Sequence, residues 1–429
     1  MLSKSIKMKI INILFLFIPI SYIAGNLLIN LNILLLFMAG IFFYGKNLFK
    51  IDFILIDKLI FYLFALFLII CFYNYLDQNK LTSSDLKFIT TKTIFYFYYL
   101  LFYLILRYFI ENKINLIKFF FISCLFSCLF VCFDIFYQLI FDKDIFGYEA
   151  VNRKLSGPFG DEWIAGAYLQ KFAPIGFFAF PLIFNLSQKK KILFFLIISF
   201  LVVLAAMVLS GNRMPLILFL FVIFLLFIFE KKLRRYFFPL IFLSSAVIFL
   251  IYNSSEEIKT NLDSFVTYTK KLSTVITEEK IDRLQMPSHY AEFESFYDTW
   301  RMNKYTGGGI RSFRINCPNR SNIDQDERST CNTHPHNYYL EILTDLGLIG
   351  LLLVSLIFIA ILYKSFIGKY ILSSNKALRT NYLITPFLFL FIAEIFPIKS
   401  TGSFFTTFNS TYIFLVMAVI VSLLKQKKL

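Results

Sequence analysis

The side chains best suited to chemistry in this chain cluster where a polar stretch gives way to an apolar one, in "CNTHPHNYYLEILTDLGLIG" at residues 331–350. Two of the three histidines, His334 and His336, stand there one residue apart, and the third is His289. A neutral imidazole is well matched to general-base work near neutral pH. Arg213, Arg301, Arg311 and Arg314 supply guanidinium groups, whose planar fork suits phosphate. A base beside fixed cations at the mouth of an apolar bundle suits a lipid-linked phosphate substrate. The bland readings stay beside these. His336 could be a polar residue at a helix start, His334 a loop residue before proline, Arg213 a side chain reaching the interface, and Gly307-Gly308-Gly309 a turn.

The elements that must position these groups are membrane helices. The chain has 429 residues, of which 58% are hydrophobic and only 16% charged, and 57 are Phe. A soluble domain would carry about a quarter charged residues. Apolar runs at 10–24, 27–45, 59–76, 93–110, 115–141, 165–185, 192–210, 214–230, 236–253, 337–363, 381–397 and 404–424 predict about twelve spans. The fold expected is an all-α polytopic membrane protein. Its parts are a bundle over 1–253, a large loop over 254–335 and a C-terminal membrane segment over 336–429.

The net charge of +16 does not call for nucleic acid, because the basic residues sit in short clusters between apolar runs. With the amino terminus cytoplasmic, one side receives Lys4/Lys7/Lys9, Lys46/Lys50, Arg107/Lys113/Lys118, Lys189/Lys190/Lys191, Lys231/Lys232/Arg234/Arg235, Lys364/Lys369/Lys376/Arg379 and Lys425/Lys427/Lys428. The short connections opposite hold few, such as Arg213 and Lys399. This positive-inside pattern predicts that both termini are cytoplasmic and that the loop is periplasmic, with all three histidines on that outward side. Within the loop, Ser254 or Ser255 followed by Glu256 and Glu257 suits a helix start. A second amphipathic helix is expected from Ser288, with Tyr290, Phe293, Tyr297 and Trp300 as its apolar stripe and the glycine run as its end.

Cys124, Cys128 and Cys132 share one helix stripe and read as small packing residues. Cys317 and Cys331 are the two cysteines of the loop, and an oxidising periplasm favours a disulfide between them. The alternative is a metal site with His334 and His336, but the close Cys-x-x-Cys pairs of structural zinc sites are missing from this segment. Asp134, Glu341, Asp345 and Glu394 are carboxylates within spans. They either act directly or pair with bases such as Arg213 or Lys399.

Four segments together resemble the O-antigen ligase and O-antigen polymerase superfamily of bacterial envelope-glycan transferases. The most specific is His336-Asn337, nine residues, then Gly347-Leu-Ile-Gly350. The others are "RKLSGPFGDEWIAGAYL" at 153–169, "SGNRMPL" at 210–216 and "YTGGGIRSFR" at 305–314. The resemblance implies an inner-membrane glycosyltransferase that needs no metal or other cofactor. Its donor would be an undecaprenyl-diphosphate-linked glycan and its acceptor a lipid A-core or lipid-linked sugar, both presented by membrane lipid. Carried over by position, His336 is the base and Arg213 binds the donor diphosphate. A second family arginine falls, by spacing, on His289, so His289, Arg311 or Arg314 would take that role. The ligase reading is preferred, with the polymerase as the alternative and a teichoic-acid or protein-glycan transferase as a third variant. A transporter or flippase of lipid-linked sugars is the rival from another class. It would need polar groups spread to the bilayer midplane rather than one large outer loop.

Overall fold

The computed structural model describes residues 3–76, 82–112, 115–149, 155–184, 187–254, 256, 259–260, 263–264, 266–267, 288–320, 331, 336–372, 381–400 and 402–425. Of the residues singled out above, Lys113, Arg153, Lys154, Ser255, Glu257, His334, Lys376, Arg379, Lys427 and Lys428 lie outside that set, as do the side chains of His289 and Tyr290. The described chain is helical, and its only strand-like pairing is a single bridge between Lys143 and Glu149.

Leaving aside turns of five residues or fewer, the helices are α1 (Lys4–Ile23), α2 (Asn26–Tyr44), α3 (Leu55–Leu76), α4 (Ser83–Asn112), α5 (Asn115–Phe141), α6 (Ala165–Phe177), α7 (Lys189–Leu209), α8 (Arg213–Phe229), α9 (Phe237–Tyr252), α10 (Ser288–Met302), α11 (Tyr338–Leu362), α12 (Thr385–Glu394) and α13 (Thr407–Lys425). Each expected span meets one of them. Nine of the described helices are long and apolar enough to cross a membrane, while α6, α8 and α12 are shorter. Local chemistry explains two of the short ones. Pro174 interrupts the donor ladder of α6, which ends in a turn at Phe178–Ala179, and α12 stops at Ile395, two residues before Pro397.

Enclosure is uneven, and it shows which helices form the centre. Nearly every residue of α6, α12 and α13 is buried, whereas α9 buries none and packs along α7, with Phe237 at its start against Phe224 and Phe227 of α8. α13 lies against α4, α5 against α6 and α1, and α11 against α3 and α10. Aromatic rings fill the seams: Phe64, Tyr96, Phe405 and Phe414 contact one another across α3, α4, α13 and the segment before it. Among lipid tails such close packing, rather than expulsion of water, holds helices together. At the end away from His336, Arg107 is fully buried and paired with Asp57 and Glu111, and Tyr103 donates to Asp57 at 2.6 Å. Arg107 is therefore an internal anchor of α3 and α4, not a surface charge.

The feature that shapes the other end is a break inside α11. Gly347 has φ +66°, so the helix ladder is cut there. The four backbone groups this frees are Thr344 O, Asp345 O and the amides of Leu348 and Ile349, which would have paired with one another in an unbroken helix. All four are taken up by the glycine segment. Gly308 N donates to Thr344 O at 3.1 Å and Gly309 N to Asp345 O at 2.8 Å. Leu348 N donates to Lys304 O at 2.9 Å and Ile349 N to Tyr305 O at 3.2 Å. A broken helix inside a bundle is tolerable only when protein satisfies the freed groups.

The insertion differs in detail from its sequence pattern. Residues 256, 259–260, 263–264 and 266–267 are helical. α10 ends at Met302, ahead of the glycines, where the Trp300 indole donates to Lys304 O at 2.9 Å. Its buried face is Ser295, Phe296 and Thr299, while Tyr297 is half exposed. Phe296 stacks on Phe313 at 3.4 Å, and both pack with Cys317 against Leu340 of α11. Long-range packing onto α11 thus chose a face one residue away from the expected stripe.

A Cβ at Gly347 would overlap the Tyr305 carbonyl, and the positive φ adds strain to any replacement. Gly347→Ala should destabilise the protein by about 3 kcal/mol or more, read as lost monodisperse yield or a lowered melting midpoint in detergent. Gly40→Ala on α2, where the nearest atoms are the flexible end of Leu48 at 3.3 Å, should stay within about 1 kcal/mol of the parent.

Candidate functional site

The site is built around the head of α11. Asn337 is its N-cap: the side-chain oxygen accepts from Tyr339 N at 2.9 Å and Leu340 N at 3.2 Å. The same side chain donates to Pro397 O at 2.8 Å and Lys399 O at 3.2 Å, so one residue caps the helix and ties it to the segment between α12 and α13. His336, half-buried, precedes the cap with φ +53°. A left-handed conformation in a residue with a side chain costs about 1 kcal/mol or more and persists where the surroundings impose it. Arg311 shares this conformation at φ +62°.

The arginines are held by different elements. Arg311 is locked by backbone and side chain: its amide donates to Asp345 Oδ2 at 2.6 Å and its Nη2 to Phe405 O at 3.0 Å. Arg314 lies over the Phe88 ring of α4 at 5.7 Å. Partial burial and the neighbouring Arg311 push its guanidinium below the ordinary arginine range. Asn74 of α3 donates to Gly308 O at 2.8 Å, which fixes this edge of the site to α3 and α4. Arg213 stands at the start of α8, and its guanidinium donates to the Ser264 hydroxyl of the insertion. Asn212 beside it accepts from Gly166 N at 2.9 Å and donates to Trp163 O at 3.1 Å. A side chain at Gly166 would meet the Asn212 Cβ at 2.6 Å, so a glycine there lets the two turns touch. His289 lies in the first turn of α10.

The carboxylates within the helices take different partners. Glu341 accepts from Ser403 Oγ and Phe404 N, both at 2.5 Å, and Asp345 from Arg311 N and Ser312 Oγ. Asp134 accepts from Ile145 N at 2.9 Å. Glu394 pairs with two ammonium groups, Lys171 of α6 at 2.6 Å and Lys399 at 2.8 Å, and also accepts from the Tyr338 hydroxyl. Burial pulls the Lys399 ammonium down from its ordinary range, against the opposing pull of Glu394.

Cys317 and Cys331 are joined in a disulfide with their Cα atoms 5.6 Å apart, which leaves neither thiol for a metal. Cys124, Cys128 and Cys132 are buried free thiols on α5. Among the described residues, no three His, Cys, Asp or Glu side chains are grouped so as to hold a metal ion.

Sequence reasoning alone missed residues 397–406. This segment holds Asn337, Glu341 and Arg311 at once, and Lys399, Ser403, Phe404 and Phe405 are buried in it. The available signal was "KSTGSFF", a polar and glycine-bearing stretch between two apolar runs. Lys171 was missed because it sits within an apolar span.

Asn337→Ala removes the cap and both outward hydrogen bonds, and should destabilise by about 2 kcal/mol. Asn337→Ser keeps a cap acceptor and should fall between it and the parent in thermal unfolding midpoint.

No curated protein sequence matches the chain. Residues 194–355 match the family model described as O-antigen ligase, a stretch running from within α7 through Arg213, the insertion and His336 to just past Gly350. The chain is thus a protein of apolar, membrane-length helices whose residues 194–355 are similar to the O-antigen ligase family.

Proposed function

We propose that this chain is an O-antigen ligase-type glycosyltransferase of the bacterial inner membrane. Both termini are cytoplasmic, and the head of α11 faces the periplasm. The donor is a glycan on undecaprenyl diphosphate and the acceptor a sugar hydroxyl of lipid A-core. The observation that carries the reading is the setting of His336. It is held in a left-handed conformation at the head of α11, within the matched domain, and Arg311 is fixed to Asp345 of the same helix.

In this reading the lipid tail lies between helices while the diphosphate rests on Arg213. Arg311 or Arg314, with His289 as the further candidate, supplies the second phosphate contact. Arg311 suits that part because its backbone is already fixed by Asp345, so little ordering is left for binding to impose. His336 takes the proton from the acceptor hydroxyl as that oxygen attacks C1 of the donor sugar. The C1–oxygen bond to the diphosphate breaks, and the leaving undecaprenyl diphosphate carries the electron pair, its growing charge met by the arginines. No metal enters this scheme. The disulfide, placed in an oxidising periplasm, closes the part of the loop just ahead of His336.

The polymerase reading, in which a second lipid-linked repeat is the acceptor, shares the same residues and is separated by phenotype. A deletion strain should accumulate glycan polymer on its lipid carrier and carry none on lipid A-core. A strain that keeps one repeat on lipid A-core would make the protein a polymerase.

His336→Ala should lower transfer by about 10²–10⁴-fold while the protein still inserts; retention of parental transfer contradicts the base assignment. Arg213→Ala should raise the donor KM and lower kcat, and Arg213→Lys should recover only part of the loss because an ammonium lacks the fork. Transfer should survive exhaustive chelation of divalent cations. Loss on chelation with return on adding a cation would contradict the metal-free scheme.

A further inference from the structure

A second layer of residues, all beyond the matched domain except those of α11 itself, grips the residues that follow His336. Glu394 sits at the end of α12, buried, and gathers three donors: Tyr338 of α11, Lys171 of α6 and Lys399. The chain from Glu394 to Lys399 then holds each of the three residues after His336. Asn337 donates to the carbonyls of Pro397 and Lys399, the Tyr338 hydroxyl to Glu394, and the Tyr339 hydroxyl to Ile395 O at 2.5 Å. The Lys399 ammonium also lies over the Tyr338 ring at 4.2 Å, so cation, ring and carboxylate close one small circuit.

Two lysine amino groups share this one buried carboxylate. The second ammonium, Lys171, is steadied by the face of Tyr412 at 4.3 Å, and Tyr412 in turn donates to Lys171 O at 2.8 Å. Lys171 brings in α6, whose first turn receives the Arg213 segment through Gly166 and Asn212. The same carboxylate therefore links the backbone that carries His336 to the helix against which the Arg213 turn is docked. A cluster that only glued helices would have no reason to concentrate on residues 337–339. Here every one of them is tied, directly beside a histidine whose backbone stands in an unfavourable region.

We infer that Glu394, Lys399 and Tyr338 form a positioning clamp that sets the orientation of His336, with Lys171 coupling it to the Arg213 side. The inference rests on the reading of His336 as the base, and adds residues that act through it. Removing one member should lower kcat and leave the donor KM near the parental value, because the phosphate contacts come from the arginines.

The test uses full-length protein in proteoliposomes with a lipid-diphosphate-linked glycan donor, and pairs kinetics with ring resonances from histidine-labelled protein. Only three histidines contribute signals, and His336→Ala assigns the relevant one. Tyr338→Phe removes a single hydroxyl and Lys399→Met the ammonium. Both should shift the His336 resonance and lower kcat about tenfold, with KM changed less than twofold. Lys399→Arg, which keeps the charge and the donors, should return kcat to within about threefold of the parent. Tyr370→Phe, which loses a comparable hydrogen bond to Glu230 at the far end of the bundle, should leave both readouts unchanged. An unshifted His336 resonance in Tyr338→Phe and Lys399→Met overturns the clamp, as does a loss that appears only as reduced inserted protein. A shifted resonance alongside undiminished transfer by His336→Ala sustains the clamp and sinks the base reading alone.

Discussion

The break in α11 and its repair by the glycine segment is the constraint on which the rest of the site depends. A helix that loses two ladder bonds among apolar neighbours must find partners for four backbone groups, each costly to leave bare. The segment at 304–309 supplies all four, and in doing so it stops being a free loop. Its position then fixes Arg311, whose amide reaches the Asp345 side chain at the break itself, and through Phe405 it fixes the segment that holds Asn337. Glycine at 307 and 347 is required by contact as well as by φ. A side chain at Gly307 would come within 2.5 Å of the Asp345 oxygen.

Charge placement follows the same economy of position. The buried carboxylates of α11 are satisfied by hydroxyls and backbone amides, which fix geometry. Glu394 alone among the four carboxylates weighed from the sequence is satisfied by ammonium groups. In the proposed reaction Arg213, with Arg311 or Arg314, meets phosphate. The opposite end of the bundle uses a different device, the Asp57–Arg107–Glu111 group, which joins helices without any approach to the head of α11.

Much of this was legible in the sequence, and the exceptions have physical causes. Apolar runs located every long helix of the bundle because length and composition suffice for that. The histidine–glycine spacing located the head of α11 but not its break. It could not say that Gly347 interrupts the helix, since an apolar run reads the same with or without a kink. The face of α10 was misread by one residue because Phe296 is chosen by Phe313 and Leu340, both distant in sequence. Lys399 was open to the sequence as a partner for a buried carboxylate, whereas Lys171 was not. Only tertiary packing brings both to Glu394.

The account stands on the backbone exchange between 304–309 and 344–349, and amide hydrogen exchange on the intact protein in nanodiscs measures it most directly. The amides of Gly308, Gly309, Leu348 and Ile349 should exchange slowly and as one cooperative group, with protection comparable to the flanking turns of α11. Exchange of these four at the rate of an unstructured peptide, while α11 on either side stays protected, would contradict it.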